Sequence, residues 1–237
     1  MSYEYSYAQA LNAVSRTQPA IIEDQYATLA CNMATSLIWD ATDWRESTAV
    51  LPPFYLQPGE QDHGPPLGIV PSDFMGVRRA QVQMYNGQVL GELAVSQNLN
   101  EVYWLGLPSS ISYENQKAAF RLYPRVPYGY GAPNYFVSGT YKRKAVQITN
   151  ATLEAKLPLD DKYFQIWIEA LRWAYYVLRG DPKAGRIQMQ NGQTFYEGQI
   201  AIAKNFIAEA VAVQETNEGE HRIHPARPLV APRIRGW

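Results

Sequence analysis

Three histidines, one cysteine and a scatter of carboxylates are the groups in this 237-residue chain that could perform acid–base, nucleophilic or metal chemistry. His63 lies in a Pro/Gly-rich stretch; His221 and His224 sit three apart near the end, with Glu218 and Glu220 beside them. That spacing would serve a metal only if a rigid element presented both rings together, and the segment is not patterned as a helix. No histidine falls in an element that could hold a general base, and no Gly-x-Ser-x-Gly elbow is present. Cys31 lies in an apolar-periodic stretch between Leu29 and Met33 and reads as a small core hydrophobe. As the sole cysteine it can make neither an internal disulfide nor a cysteine-based zinc site. Gly129-Tyr130-Gly131 lacks the third glycine and following helix of a dinucleotide fingerprint, and no phosphate loop with Gly-Lys-Ser/Thr occurs. Asp160 and Asp161, adjacent at a helix start, suit capping and the helix dipole. Glu46, Asp73, Glu92 and Glu114 could furnish a glycosidase-like pair in a cleft, but nothing in their spacing brings two together. The expectation is a protein without catalytic residues, metal or cofactor.

The elements that must position these groups are set by composition and pattern. Hydrophobic residues make up 46% and charged residues 18%, which supports a packed core and argues against general disorder. No run approaches the roughly 18 apolar residues of a membrane span. The start, Met1 to Tyr5, has no basic region leading into an apolar one, so synthesis in the cytoplasm without a secretory signal is expected. With 21 basic and 22 acidic residues the net charge is −1, which disfavours tight general binding of DNA through phosphates but not passive contact along a channel. Aromatic residues reach 13%, with 17 Tyr and 6 Trp. Two readings stand side by side: a Tyr-rich β core, or surfaces that are wet before assembly and dry after it.

The chain opens on helices. Ala8 to Ser15 is a short one, and Pro19 starts a second whose Ile22, Tyr26, Leu29, Met33 and Leu37 recur on one face to about Trp39. From Thr48 to Lys156 strands and loops follow, with a long Pro/Gly-rich loop from Gln57 to Leu67. Val77–Tyr85, Asn86-Gly87 and Gln88–Leu93 form a β-hairpin, because Asn-Gly accepts both positive φ angles of a type I′ turn. Further strands are predicted at Glu101–Leu105, Ala118–Tyr123, Tyr135–Tyr141 and Ala145–Thr149. Helix returns after Asp161, with Tyr163, Trp167, Ala170, Leu171, Ala174 and Leu178 as a stripe ending at Gly180-Asp181-Pro182. Another helix is predicted over Gly192–Gln214, with Tyr196, Ile200, Ala203, Ile207 and Ala210 inward. The expected class is α+β: an antiparallel helix bundle (1–47 and 157–216) with an inserted β-rich region (48–156) and an extended C-terminal arm (217–237). That arm carries Arg222, Arg227, Arg233 and Arg235, three prolines and a closing Trp237.

Several segments, in this order, resemble the adaptor, or head-to-tail connector, proteins of short-tailed phages. Ile38-Trp39-Asp40-Ala41-Thr42-Asp43-Trp44-Arg45 precedes Leu51-Pro52-Pro53-Phe54; Val70-Pro71-Ser72-Asp73-Phe74 runs into a strand. Phe120-Arg121-Leu122-Tyr123-Pro124 with Pro127 comes before Tyr135–Tyr141, and Leu157-Pro158-Leu159-Asp160-Asp161 leads into a long aromatic helix. The likeness covers about residues 20–215 and rests on the order of the pieces. It implies a structural virion protein at the head–tail junction, with no turnover. The family's subunits form a homo-oligomeric ring, usually of twelve, under the portal ring and above a tail nozzle or tail fibres. Double-stranded DNA passes transiently through the channel, and no membrane is involved. In that picture the arm reaches the portal, its arginines pairing with carboxylates and Trp237 filling a pocket. The alternative is a carbohydrate- or receptor-binding β module whose platform is Tyr103, Trp104, Tyr128 and Tyr130.

Overall fold

The computed structural model describes residues 5–17, 24–64, 70–97, 99–130 and 134–222. In chain order its elements are α1 (Tyr7–Thr17), α2 (Asp24–Trp39), β1 (Thr48–Tyr55), β2 (Asp62–His63), β3 (Phe74–Met84), β4 (Val89–Val95), β5 (Ser110–Glu114), β6 (Ala119–Tyr123) and β7 (Tyr135–Arg143). After these come α3 (Phe164–Leu178), β8 (Ile187–Gln190), β9 (Gln193–Tyr196) and α4 (Gln199–Arg222). They fall into two compact units, Met1–Thr42 with Ile148–Trp237, and Asp43–Gln147.

The expected antiparallel helix bundle does not form. The dominant architecture is a curled, mixed seven-stranded sheet, accompanied by four short helices. Strand order is β1-β7-β3-β4-β5-β6-β2, antiparallel throughout except for the short parallel pairing of Ala94 and Val95 with Ser110 and Ile111. Chain geometry makes the curl obligatory. In a flat sheet β1 and β2 would lie about 29 Å apart, six strand spacings. The link from Tyr55 to Asp62 spans about 24 Å even when fully stretched. The two edges must therefore approach each other, and the side chains record it: Phe54 of β1 stacks on Phe120 of β6 with ring centroids 5.1 Å apart.

Inside the curl lie Leu51, Phe54, Leu56, Phe74, Val77, Val82, Ile111, Phe120, Leu122, Val126, Val137 and Tyr141, all buried. Phe120 is their hub, with further ring contacts to Phe74 at 5.5 Å and Tyr113 at 5.5 Å. The period-two pattern of β7 places Val137, Gly139 and Tyr141 inward, opposite Val82, Ala80 and Val77 of β3. Gly139 has a steric reason to be glycine: a Cβ there would collide with the Arg79 carbonyl oxygen.

Within the expected strand-and-loop region β1 runs through Pro52-Pro53, and the prolines are accommodated by a register shift between Leu51 and Phe54 on an edge strand. Other strand expectations need correction. β2 interrupts the expected Gln57–Leu67 loop, of which residues 65–67 lie outside the described residues. Glu101–Leu105 makes only an isolated bridge, Leu105 to Arg125, and Ala145–Thr149 forms no strand.

In the helical unit α3 is the centre, and α1, α2 and α4 each pack on it. α3 offers the face on which the others pack, burying Ile166, Trp167, Leu171, Ala174, Tyr175 and Tyr176 among others. α2 turns the opposite face from the one its large residues mark. Ala27, Ala30, Cys31, Ala34 and Ile38 are buried, while Leu29 is 49% exposed. Small side chains let the α2 backbone approach the bulky rings of α3, which outweighs burial of the longer stripe. α1 begins with a reciprocal cap, in which Gln9 N–H donates to Ser6 Oγ and Ser6 N–H donates to Gln9 Oε1. Buried Glu169 ties the helices together, accepting from Gln165, Arg172 and Gln199 at 2.7, 2.8 and 2.7 Å. Arg172 in turn donates to Thr17 Oγ1 of α1.

The helix predicted from Gly192 starts at Gln199 instead, because residues 187–196 form the β8–β9 hairpin. At its other end α4 continues to Arg222, so Asn217–Arg222 is helical and not an extended arm. Gly219 costs about 1 kcal/mol in a helix, whereas the first residue that must end one is Pro225. Among the described residues no helix is long and apolar enough to cross a membrane.

Phe120→Ala removes the ring shared by three other aromatic side chains. It is expected to lower unfolding free energy by about 3–5 kcal/mol in urea titrations, with Phe120→Leu well below that loss.

Candidate functional site

Several of the groups suited to chemistry are tied into the structure. His63, at the edge of the curled sheet, is buried; its Nε2 accepts from the Gln57 N–H at 3.0 Å, and Nδ1 lies 3.2 Å from the Gln61 carbonyl oxygen. This fixes the neutral tautomer with Nδ1–H donating. Burial lowers its pKa below the usual histidine value. The neighbouring Asp62 is held by Arg121, whose Nε and Nη2 donate at 2.6 and 3.0 Å, and by Lys117 at 2.6 Å. These hydrogen bonds, Arg121 foremost, hold its carboxyl down at about 2. Cys31 is fully buried among the small residues of α2, and burial pushes its thiol up to about 12, so it stays protonated and sheltered.

The carboxylates considered as a catalytic pair stand on separate elements. Asp73 accepts from Tyr141 Oη and Arg143 at 2.7 Å each, and Glu114 faces Arg121 at 3.9 Å. Glu92 lies on the open outer face of the sheet, lining a concavity of about 800 Å³ with Arg79, Gln81, Ser138 and Thr140. Asp160 makes no capping hydrogen bond; it pairs with Lys162, and Asp161 accepts from the Tyr5 N–H instead. Among the described residues no group of three His, Cys, Asp or Glu side chains could hold a metal ion.

Among the described residues aromatic and aliphatic side chains are exposed at many points, and in two places they cluster on a pinned loop or hairpin. The first is in the sheet unit, on loops hung from residues 123–128. Gly106 N–H donates to the Arg125 carbonyl at 2.9 Å and Ser109 N–H to that of Tyr123 at 2.8 Å, which pins the loop carrying Tyr103, Trp104, Leu105 and Leu107. Tyr103 is 87% exposed, with the Arg125 guanidinium 5.5 Å from its ring; Trp104 is 55% exposed and sets its edge on Tyr123. Tyr128 is 76% exposed and rests its ring on Gly59, which has no side chain to displace it. Tyr130 behaves differently, half-buried against Tyr135 with centroids 4.6 Å apart. Of the four residues read as a platform, three are therefore presented and one belongs to the margin of the core.

The second place is the β8–β9 hairpin of the helical unit, in which every residue is exposed. Asn191 and Gly192 form its turn with φ of 53° and 76°, the two positive angles of a type I′ turn. At its base Gly185 and Gly198 cross so closely that a Cβ on Gly185 would strike the Glu197 carbonyl oxygen. The sequence signal was present: the same Asn-Gly pair that marks β3–β4 recurs here, but the apolar spacing from Tyr196 onward read as helix. Expected arm residues Arg227, Arg233, Arg235 and Trp237, with His224, lie outside the described residues. Arg222 and His221 fall in the last turn of α4, which corrects the non-helical reading of that stretch.

No protein-family model matches this sequence, and no curated protein matches it.

Because the folded state lowers the His63 pKa, its contribution to stability is complete above about pH 6.5 and is lost as pH falls through the lower folded value. Asp62 acts further down, losing its contribution between the ordinary carboxylate value of 3.8 and about 2. Urea midpoints are expected to fall on acidification from about pH 7 to about pH 5, and His63→Gln is expected to flatten that slope. An equal slope in the variant assigns the effect elsewhere.

Proposed function

We propose that this chain is a ring-forming virion adaptor, joining a phage portal to the tail nozzle or fibres and performing no turnover. The observation that carries the reading is the large apolar side chain that both units leave in water. Tyr103, Trp104 and Tyr128 stand out from one, Ile187, Met189 and Phe195 from the other. Single exposed hydrophobes are ordinary, but clusters of them on pinned loops and hairpins suit surfaces that are buried on assembly. His63, Asp62 and Asp73, which could do acid–base work, are meanwhile engaged in ion pairs and hydrogen bonds. A net charge of −1 fits a channel wall past which DNA slides without tight phosphate contact. In this reading the segment from Arg222 through Arg227, Arg233 and Arg235 to Trp237 fastens the ring to the portal, about twelve copies to a ring.

Exposure of Tyr103 and Tyr128 also supports a second reading, a carbohydrate- or receptor-binding module. Titration with neutral oligosaccharides separates the two, because a platform would shift Trp104 fluorescence and an assembly surface would not.

Alone, the chain is expected to be monomeric or weakly associating, and to assemble when the portal ring of the same virus is added, by sedimentation or native mass measurement. Absence of portal binding rejects the adaptor reading. Deleting Pro225–Trp237 should abolish attachment while leaving the helical signal and thermal midpoint in place. Full attachment without it would remove the arm from the mechanism.

A further inference from the structure

Asn-Gly occurs twice in this chain, at Asn86-Gly87 and Asn191-Gly192, and both pairs are exposed at the tips of hairpins. Such a pair carries its own reaction. The backbone nitrogen that follows an asparagine can reach that asparagine's side-chain carbonyl carbon, and a glycine puts no Cβ in the way. Attack closes a five-membered succinimide ring. In a folded chain the reaction needs a nitrogen whose hydrogen is not held elsewhere and a turn that is free to rotate.

The two tips differ on both counts. In the β3–β4 turn the Gly87 N–H donates to the Met84 carbonyl at 2.9 Å, and Asn86 Oδ1 accepts from the Gln88 N–H at 3.0 Å. The Met84 N–H closes the same turn on the Gln88 carbonyl at 2.8 Å. Attacking nitrogen and side-chain amide are thus both tied down. In the β8–β9 turn neither the Gly192 N–H nor the Asn191 side chain has a hydrogen-bond partner among the described residues. No atom lies within 4 Å of the place a Cβ on Gly192 would take, so ring closure meets no neighbour. Asn191 itself stands at a φ of 53°, a conformation that an L residue leaves readily.

We infer that Asn191 is a site of spontaneous, irreversible deamidation in the folded protein, and that Asn86 is protected from it. Base removes the Gly192 amide proton, a bond forms between the Gly192 nitrogen and Asn191 Cγ, and the Cγ–Nδ2 bond breaks with loss of ammonia. Water then opens one or other carbonyl of the ring, leaving isoaspartate or aspartate. No oxidant, reductant or second protein is needed. Either product puts a negative charge on a hairpin that has no charged residue from Ile187 to Tyr196. Isoaspartate also adds a methylene to the main chain, which the two-residue turn cannot take up without losing its geometry. The inference is independent of what the protein assembles with.

The test incubates the full-length protein in mildly alkaline buffer, folded and in concentrated urea, and follows tryptic peptides by mass spectrometry. Cleavage after Arg186 and Lys204 yields a peptide in which Asn191 is the only asparagine. Conversion adds one mass unit, and fragmentation separates isoaspartate from aspartate and locates Asn86 in its own peptide. In the folded protein Asn191 is expected to convert faster than Asn86 by roughly tenfold, the factor that one or two hydrogen bonds of the turn are worth. In urea, where those bonds are gone, the two rates should come together. Equal rates in the folded protein, faster conversion of Asn86, or no conversion of Asn191 overturns the inference. A ratio that persists undiminished in urea overturns it as well, since the fold would then not be its cause.

Discussion

The stack of Phe54 on Phe120 is the contact on which the sheet unit depends. It joins the first strand in the lateral order to the sixth, and it exists because the short link between β1 and β2 leaves the sheet no flat alternative. Aromatic pairs of this kind add about 0.5–1.5 kcal/mol beyond the burial of their area. Here the pair also decides where the inside is. Once the sheet curls around Phe120, one face of each strand is committed to a dry interior and the other to whatever lies outside.

That commitment governs the charged groups. Asp62, Arg121 and Lys117 sit at the edge where β2 meets β6, and their ion pairs seal a strand of only two residues that hydrogen bonds alone would hold weakly. His63, the next residue, fills an interior position and links backbone groups on either side of the turn. Chemistry-bearing residues thus became joints. The helical unit repeats the logic around Glu169, which serves α3 and α4 directly and α1 through Arg172. A buried carboxylate contributes only when its oxygens are fully engaged, and these are.

The surfaces left outside follow from the same constraint. Loops pinned to residues 123–128 cannot fold their rings into a core that Phe120 and its neighbours already fill. The β8–β9 hairpin is fixed at its base by the close approach of Gly185 and Gly198, and Lys204 of α4 lies over its Tyr196 ring. These two surfaces, rich in exposed apolar side chains and fixed in place, carry the proposal of an assembling subunit.

Local rules determined much of this from the sequence alone. The β3–β4 hairpin at Asn86-Gly87, the alternation in β7 and the stripe of α3 are short-range patterns that residue type dictates at its own position, although only Gly87 takes a positive φ (84°), so the turn is not the expected type I′. The buried cysteine was equally legible, since a lone thiol in an apolar stretch has no partner to make it reactive. Other features were settled only by tertiary packing. That α2 buries alanines instead of Leu29 depends on the bulk of α3, about 135 residues away. That Pro52-Pro53 lies in a strand depends on its being an edge strand, which nothing in residues 48–55 announces. That α1, α2 and α4 gather around α3 depends on contacts between segments far apart in the chain. Periodicity names the residues able to face a core; which face wins is decided by the neighbour that has to fit against it.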